Sequence, residues 1–270
     1  MLLRINYFGK HALGYLLQYG YILYLDKMTN TQFVFCSAPH DLSRIHPIFH
    51  PEANELKKLG VNVGLKPDKE AEHLVLRSTI LHSEEEYPTD SRFIQGWREY
   101  RSLSDLPIYF PLIKDISIPT FFVKNLSSDI SKDILSRNWE KVFVKNASKS
   151  LWAINDNASV WPDTSFEEMS TMFESLFGKS DIYCIRKWVD LSKEERYWVM
   201  NGRIFHRSNK IPEIVMEAEK RLRVLGSKYY TIDASPEIIV EVNPGESSDR
   251  HGVNSPQLFA SWLYESFCLN

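Results

Sequence analysis

Two acids and an amide stand out by their setting. Tyr230 to Gly245 reads as two neighbouring strands, otherwise apolar, with Asp233 on the first and Glu241 and Asn243 on the second. The β-branched run from Ile238 to Val242 is interrupted only by Glu241, and a carboxylate in such a run is costly unless it is paired or binds a cation. Glu241 and Asn243 are two apart, so both side chains point to one face of a strand while Val240 and Val242 point to the other. Asp233 joins that face if the connection after it holds an odd number of residues, pairing Asp233 with Ile239 or with Glu237. Hard oxygen ligands of this kind suit Mg²⁺, which takes a few carboxylates and leaves the rest of its shell to substrate phosphate. The alternative is a pair of acids facing water on an edge strand, with Pro236 as its mark.

A second constellation lies just upstream. Glu195 to Ser208 reads as a hairpin centred on Asn201-Gly202, a strong two-residue turn signal. With that turn, Met200 opposes Arg203, Trp198 opposes Phe205, and Arg196 opposes Arg207. Two guanidinium groups facing each other across a strand pair repel by about 1 to 3 kcal/mol at intermediate dielectric. A bound polyanion would turn that liability into a site, because guanidinium matches phosphate geometry. The alternative is that Glu194, Glu195 or another acid neutralises the pair. A third element, Val142 to Ser150, delivers Lys145 on a strand and then Ser148, Lys149 and Ser150 on a polar loop whose amides and hydroxyls could cradle phosphate. It is not a Walker A loop, since the GxxxxGK[ST] pattern is absent. A strand-terminal lysine facing solvent is the plain alternative.

These residues need a scaffold, and the chain is long enough to supply one. Its 270 residues, 43% hydrophobic and 25% charged, describe an ordinary soluble globular protein of two or three lobes. A net charge of −3 argues against general affinity for nucleic acid or anionic membrane, so neither is expected as a partner. Cys36, Cys184 and Cys268 are odd in number and widely spaced, which fits neither a disulfide framework nor a zinc motif and predicts a reducing, cytoplasmic setting. Tyr15 to Leu25 is apolar but too short to span a membrane and contains Gln18 and Gly20, so it reads as a core helix running into a strand.

Up to about Arg101, short apolar runs alternate with helical stretches: Leu2 to Tyr7, Lys10 to Gln18, Phe33 to Cys36, Glu52 to Leu59 closing on Gly60, and Leu74 to Leu76. Pro107, Pro111 and Pro119 then punctuate the chain. Strands are predicted at Thr120 to Val123, Lys141 to Lys145 and Ile182 to Ile185. Helices are predicted at Ser128 to Asn138, Thr164 to Phe177, Glu213 to Leu225 and Gln257 to Phe267. The layout is α/β with a strongly antiparallel second half. His46 and His50 are four apart, but Pro47 and Pro51 break the helix that would align them on a metal. Glu84-Glu85-Glu86 reads as a solvated loop, and Trp97 as a core aromatic.

The order of these parts, from the lysine-bearing strand and polar loop through the Glu-Arg hairpin to Asp and then Glu-x-Asn, resembles the ATP-grasp superfamily, and most of all its small, divergent ligase-like members. The resemblance covers roughly Arg101 to Gly252. It implies an α+β fold with a small N-terminal α/β lobe (residues 1–100) and two subdomains gripping nucleotide (101–180 and 181–270). It implies that Asp233, Glu241 and Asn243 hold Mg²⁺, with Glu241-Val242-Asn243-Pro244-Gly245 typical of that site. Lys145 would contact ATP phosphates, with Ser148, Lys149 and Ser150 in the phosphate-covering loop, which here lacks its usual glycines. Arg186, Lys187, Trp188 and Val189 would form the linker that receives adenine, and Asp190 or Glu195 would meet the ribose. Arg196 and Arg207 would hold the γ-phosphate and the developing acyl phosphate. The other phosphate-binding lysine has no counterpart; Arg101 is the nearest basic residue and Lys114 a later option. The activity implied is an ATP-dependent carboxylate-amine ligase acting on an amino acid, peptide or protein. The alternatives are a phosphotransferase on the same fold and a non-catalytic nucleotide- or protein-binding module.

Overall fold

A computed structural model of the chain describes residues 29–148, 160–161, 166–208, 210–250 and 252–269. In chain order the regular elements are β1 (Thr31–Phe35), β2 (Ser37–Ala38), β3 (Asp41–Ile45), α1 (His50–Lys58), β4 (Asn62–Gly64), β5 (His73–Arg77), α2 (Trp97–Ser104), α3 (Leu106–Ile113), β6 (Thr120–Val123), α4 (Ile130–Ser136), β7 (Val142–Asn146), β8 (Val160–Trp161), α5 (Phe166–Phe177), β9 (Tyr183–Lys187), β10 (Glu195–Met200), β11 (Arg203–Phe205), α6 (Glu213–Leu222), β12 (Tyr229–Ala234), β13 (Ile239–Pro244) and α7 (Pro256–Phe267). They divide into two compact units, one made of the described residues of Met1–Leu76 and Ser255–Asn270, the other of Arg77–Asn254.

In the first unit β1 is central in the order β4-β1-β5 and buried throughout, as a strand covered on both faces must be. It runs parallel to β4, with Phe33 opposite Val63. Helix α1 carries Glu52 in its first turn and Lys57 and Lys58 in its last, matching the helix dipole, and Gly60 follows it at φ +81°. The closing helix α7 starts at a Ser255 hydroxyl that accepts the Leu258 N–H, and its Phe267 ring packs edge-on against Phe33. The segments Leu2 to Tyr7, Lys10 to Gln18 and Tyr15 to Leu25 lie outside the described residues.

The second unit holds two four-stranded antiparallel sheets, ordered β6-β9-β7-β8 and β11-β10-β12-β13. In the first, Val142, Val144 and Ile185 pack on Ile130 and Ile134 of α4 and on Phe166, Met169 and Phe173 of α5. In the second, Tyr197, Val199, Ile232 and Val242 pack on Tyr109 and Ile113 of α3 and on Val215, Ala218 and Leu222 of α6. The hairpin turns at Asn201 and Gly202, both with positive φ, and pairs Met200 with Arg203 and Trp198 with Phe205 as the spacing predicts. Pro107 and Pro111 do not merely punctuate: both lie in α3. Pro107 occupies the first turn, where its missing N–H costs nothing.

Candidate active site

The acidic face is built by a bulge. Ala234 pairs with Ile239 across a four-residue connection, a register that would set Asp233 opposite Val240 and turn Glu241 to the other face. The register shifts between Asp233 and Ala234, leaving Val240 as the extra residue, so Asp233 stands directly opposite Glu241, and Thr231 opposite Asn243. The expected partners of Asp233, Ile239 and Glu237, are therefore replaced by Glu241, while the parity condition holds through a seven-residue connection, 234–240. Asp233, Glu241 and Asn243 share one face, and Asn243 Nδ2 donates to Asp233 Oδ2 at 3.3 Å. Val242 is buried on the other side, in the core with Ile239 and Ile232, while the bulge takes Val240 out of the expected alternation. The arrangement is not a pair of acids facing water.

Two cations meet these acids. Buried Lys145 reaches across from β7 and donates to Glu241 Oε1 at 2.6 Å. Arg196 of β10 lies opposite Asp233 and forks onto both its oxygens at 2.7 Å, with a further bond to Asp249 Oδ1 at 2.7 Å. Burial alone would raise the Glu241 carboxyl, but the charge and hydrogen bond of Lys145, with Arg186 and Arg196 behind them, hold it below its usual range. Arg186, buried at the junction of the two sheets, donates to the carbonyl of the bulged Val240 at 2.6 Å.

The expected facing of Arg196 by Arg207 does not form. The β10–β11 ladder ends at Phe205, and Arg207, half exposed, donates to Glu195 Oε1 at 2.8 Å instead. Each arginine has found its own carboxylate, which removes the repulsion that a continued ladder would impose. Glu195 is thereby held below its ordinary range, first by the Arg207 hydrogen bond. Asp190 accepts the amide and hydroxyl of Ser192.

Of the residues expected to receive adenine, Arg186 and Lys187 lie on β9, paired with Thr120 and Val142. Trp188 then donates its N–H to Lys141 O at 3.0 Å, and Lys141 Nζ stands 4.5 Å over the exposed Trp188 ring. Ser148 donates its N–H to Asn146 Oδ1 at 3.0 Å, while Lys149 and Ser150 lie outside the described residues. Arg101 is tied to Asp105 at 3.0 Å, one helical turn on.

One acid of the site was named from the sequence only as a neutraliser of the arginine pair. Glu194 is half buried, and burial, followed by the charges of Asp233 and Glu241, pushes its carboxyl up to about 7. It precedes β10 by one residue, so the alternation of that strand gave no signal for where it points. Among the described residues no three His, Cys, Asp or Glu side chains gather to hold a metal. The donor set at β12 and β13 is two carboxylates and an amide, which fits Mg²⁺ completed by substrate phosphate rather than an all-protein cage. A cleft of about 540 Å³, walled by Tyr87, Phe93, Gln95 and Trp97, contains none of these residues.

No protein-family model and no curated protein matches this sequence. Solved structures match it over most of its length. The ATP-grasp ligase PsnB, complexed with minimal precursor, Mg and ADP, is 9% identical with a TM-score of 0.53, covering 88% of this chain and 98% of that one. The macrocyclase MdnC bound with precursor peptide MdnA, from Microcystis aeruginosa MRC, is 11% identical at 0.56, covering 87% and 100%. The D-alanine–D-alanine ligase from Bacillus anthracis, complexed with ATP, is 14% identical at 0.55, covering 88% and 97%. Likeness at such identities is a likeness of fold, and with two antiparallel sheets meeting at Lys145, Arg186 and Glu241, this chain has the α+β ATP-grasp fold.

Proposed function

We propose that the chain is an ATP- and Mg²⁺-dependent carboxylate-amine ligase that works through an acyl phosphate. The observation that carries this reading is the convergence of Asp233, Glu241 and Asn243 on one face with Lys145 and Arg196, brought from two sheets of an ATP-grasp fold. Asp233, Glu241 and Asn243 hold Mg²⁺, which when bound neutralises charge on the phosphate oxygens. Lys145 and Arg196 would carry the remaining phosphate charge, with Arg207, Ser148, Lys149 and Ser150 as the further phosphate contacts of this reading. Arg186 to Val189 border the adenine.

A substrate carboxylate oxygen attacks the γ-phosphorus, and the bond to the β-bridging oxygen breaks with its electron pair to give ADP and an acyl phosphate. An amine nitrogen then attacks the acyl carbon, inorganic phosphate leaves, and the amine proton passes to solvent. The protein's task is to position reactants and stabilise charge, so no protein nucleophile is required. Two structural neighbours were solved with precursor peptides or minimal precursors, and a third is named for joining D-alanine. Amino acids and peptides are therefore the acceptors to screen. A cytoplasmic setting belongs to the same proposal. The three cysteines are free, and burial pushes the thiols of Cys184 and Cys268 up to about 12; among the described residues no helix is long and apolar enough to cross a membrane.

The test is calorimetric titration of Mg-ATP into the wild type and Glu241→Gln, followed by ADP assays with a library of carboxylates and amines. Binding that weakens in the variant, with ADP formed only when both substrates are present, is the expected result. Failure of the wild type to bind nucleotide would sink the proposal. A stable phosphorylated product formed without amine would mark a phosphotransferase, and binding without turnover a binding module.

A further inference from the structure

Glu241 and Asn243 lie on β13, which among the described residues has a single strand neighbour in its sheet and a bulge at Val240. A one-residue slip of such a strand would turn both side chains to the other face. Its start is held: Ile239 N–H donates to Ile116 O at 2.9 Å, and Ile239 O accepts from Ile118 N–H and the Ser117 hydroxyl. Its far end runs into Pro244-Gly245-Glu246-Ser247-Ser248, where a group of buried side chains has no role in the chemistry above.

Glu246 is the centre of that group, at 1% exposure. Its Oε1 accepts the Tyr87 hydroxyl at 3.0 Å and the Gln95 side-chain amide, while its Oε2 is buried without a hydrogen-bond partner among the described residues. Gln95 also grips the start of β12, accepting the N–H groups of Lys228 at 3.0 Å and Tyr229 at 3.1 Å and donating to Tyr229 O at 3.2 Å. Fully buried Arg77 donates to the carbonyls of Gly245, Glu246 and Ser248, with its guanidinium carbon 5.8 Å from the ring centres of both Trp198 and Tyr229. Gly245 lies so close to Tyr229 that a Cβ would come within 2.5 Å of the ring. The turn is thus bound to the opposite end of the strand that carries Asp233.

We propose that Glu246, gripped by Tyr87 and Gln95 beside Arg77, is a positioning residue that locks the register of β13 and with it the aim of Glu241 and Asn243. The proposal rests on the metal-site reading above. The side-chain partners of Glu246 carry no charge: a phenol and an amide donate to Oε1, and Oε2 is buried without a hydrogen-bond partner among the described residues. Burial pushes its carboxyl up to about 7, against the hydrogen bonds of its own amide, Gln95 and Tyr87 and the charge of Arg77. Tyr87 and Tyr100, the other titratable groups beside it, are both raised by burial and stay protonated. Glutamine should therefore replace Glu246, whereas alanine should not.

The experiment compares Glu246→Ala, Glu246→Gln and Glu241→Gln by amide hydrogen exchange, by MgCl₂ titration at fixed ATP, and by ATP titration in EDTA. In Glu246→Ala we expect β13 amides to exchange about tenfold faster relative to those of β10, and the Mg²⁺ midpoint to rise about tenfold. Metal-free ATP affinity should stay unchanged, and Glu246→Gln should restore both values. Unchanged β13 exchange in Glu246→Ala overturns the proposal. So does faster exchange with an unmoved Mg²⁺ midpoint while Glu241→Gln raises that midpoint, since the group would then be structural only. A midpoint that moves in neither variant removes the metal-site reading, and the proposal falls with it. If Glu246→Ala does not fold, Tyr87→Phe, which deletes one of the two donors, carries the same test at a smaller shift.

Discussion

Glu241 and Glu246 are five residues apart and are treated in opposite ways. Glu241, partly buried, is met by the cations Lys145, Arg186 and Arg196 and is held below its ordinary range. Glu246, fully buried, is met on its side chain by neutral donors and is pushed up to about 7, with Arg77 turned toward backbone carbonyls. Burial desolvates both, so the partner decides the outcome. A carboxylate surrounded by cations keeps its charge and can exchange them for a metal. A carboxyl bound by a phenol and an amide holds its proton to a higher pH and can serve as a brace.

The difference can be broken with pH. For Glu246 the folded-state value lies above the ordinary 4.5, so its contribution to stability is fully present below about 4.5 and is lost as pH rises through about 7. The loss amounts to about 3 kcal/mol. For Glu241 the sign is reversed: its contribution is present above the ordinary value of 4.5 and disappears as pH falls below it. Denaturant unfolding from pH 4 to 8 should show Glu246→Gln gaining on the wild type toward the alkaline end. A constant difference across that range would mean that Glu246 is ionised in the fold.

Replacing Glu241 has a somewhat smaller effect and the opposite sign, a loss of stability. Glu241→Gln leaves Lys145 buried without an anion but with an amide oxygen to bond, at a cost of about 2 kcal/mol. Chemical unfolding at pH 7 measures it. A change within a few tenths of a kcal/mol would show that Lys145 is not relying on Glu241 for its charge balance, and the contrast with Glu246 would fail on this side.

How much of this was legible in the sequence depended on range. Alternation placed Glu241 and Asn243 on one face, and Asn201-Gly202 set the hairpin register, because both signals are local. The parity condition on Asp233 was also legible, but its partner was not, since the bulge at Val240 depends on packing and on Arg186 arriving from β9. Like-charge repulsion between Arg196 and Arg207 was a fair local inference. Its stated alternative is what forms: Glu195, named from the sequence, takes Arg207, while Arg196 is met by Asp233 on another strand and Asp249 on a following turn, which the hairpin alone does not reveal. The brace around Glu246 was invisible, since Arg77, Tyr87 and Gln95 come from more than a hundred residues upstream. Long-range polar contacts carry no periodic signature.

Tyr87→Phe offers the finest test, because it alters the brace without touching charge or ring. The single proton of the phenol is shared between Gln95 O and Glu246 Oε1, and its loss should cost about 1 kcal/mol, the net worth of a buried hydrogen bond. Its hydrogen bond also pulls the Glu246 carboxyl down, against burial. Without it the carboxyl should titrate higher, so the alkaline loss of stability should move to higher pH while Glu241's acid-side loss stays in place. Unfolding curves for Tyr87→Phe and wild type across pH 4 to 9 separate the two ends. Movement at the acid end as well would mean that the brace and the acidic face titrate as one network, and the opposition between Glu241 and Glu246 would have to be replaced by a shared charge balance.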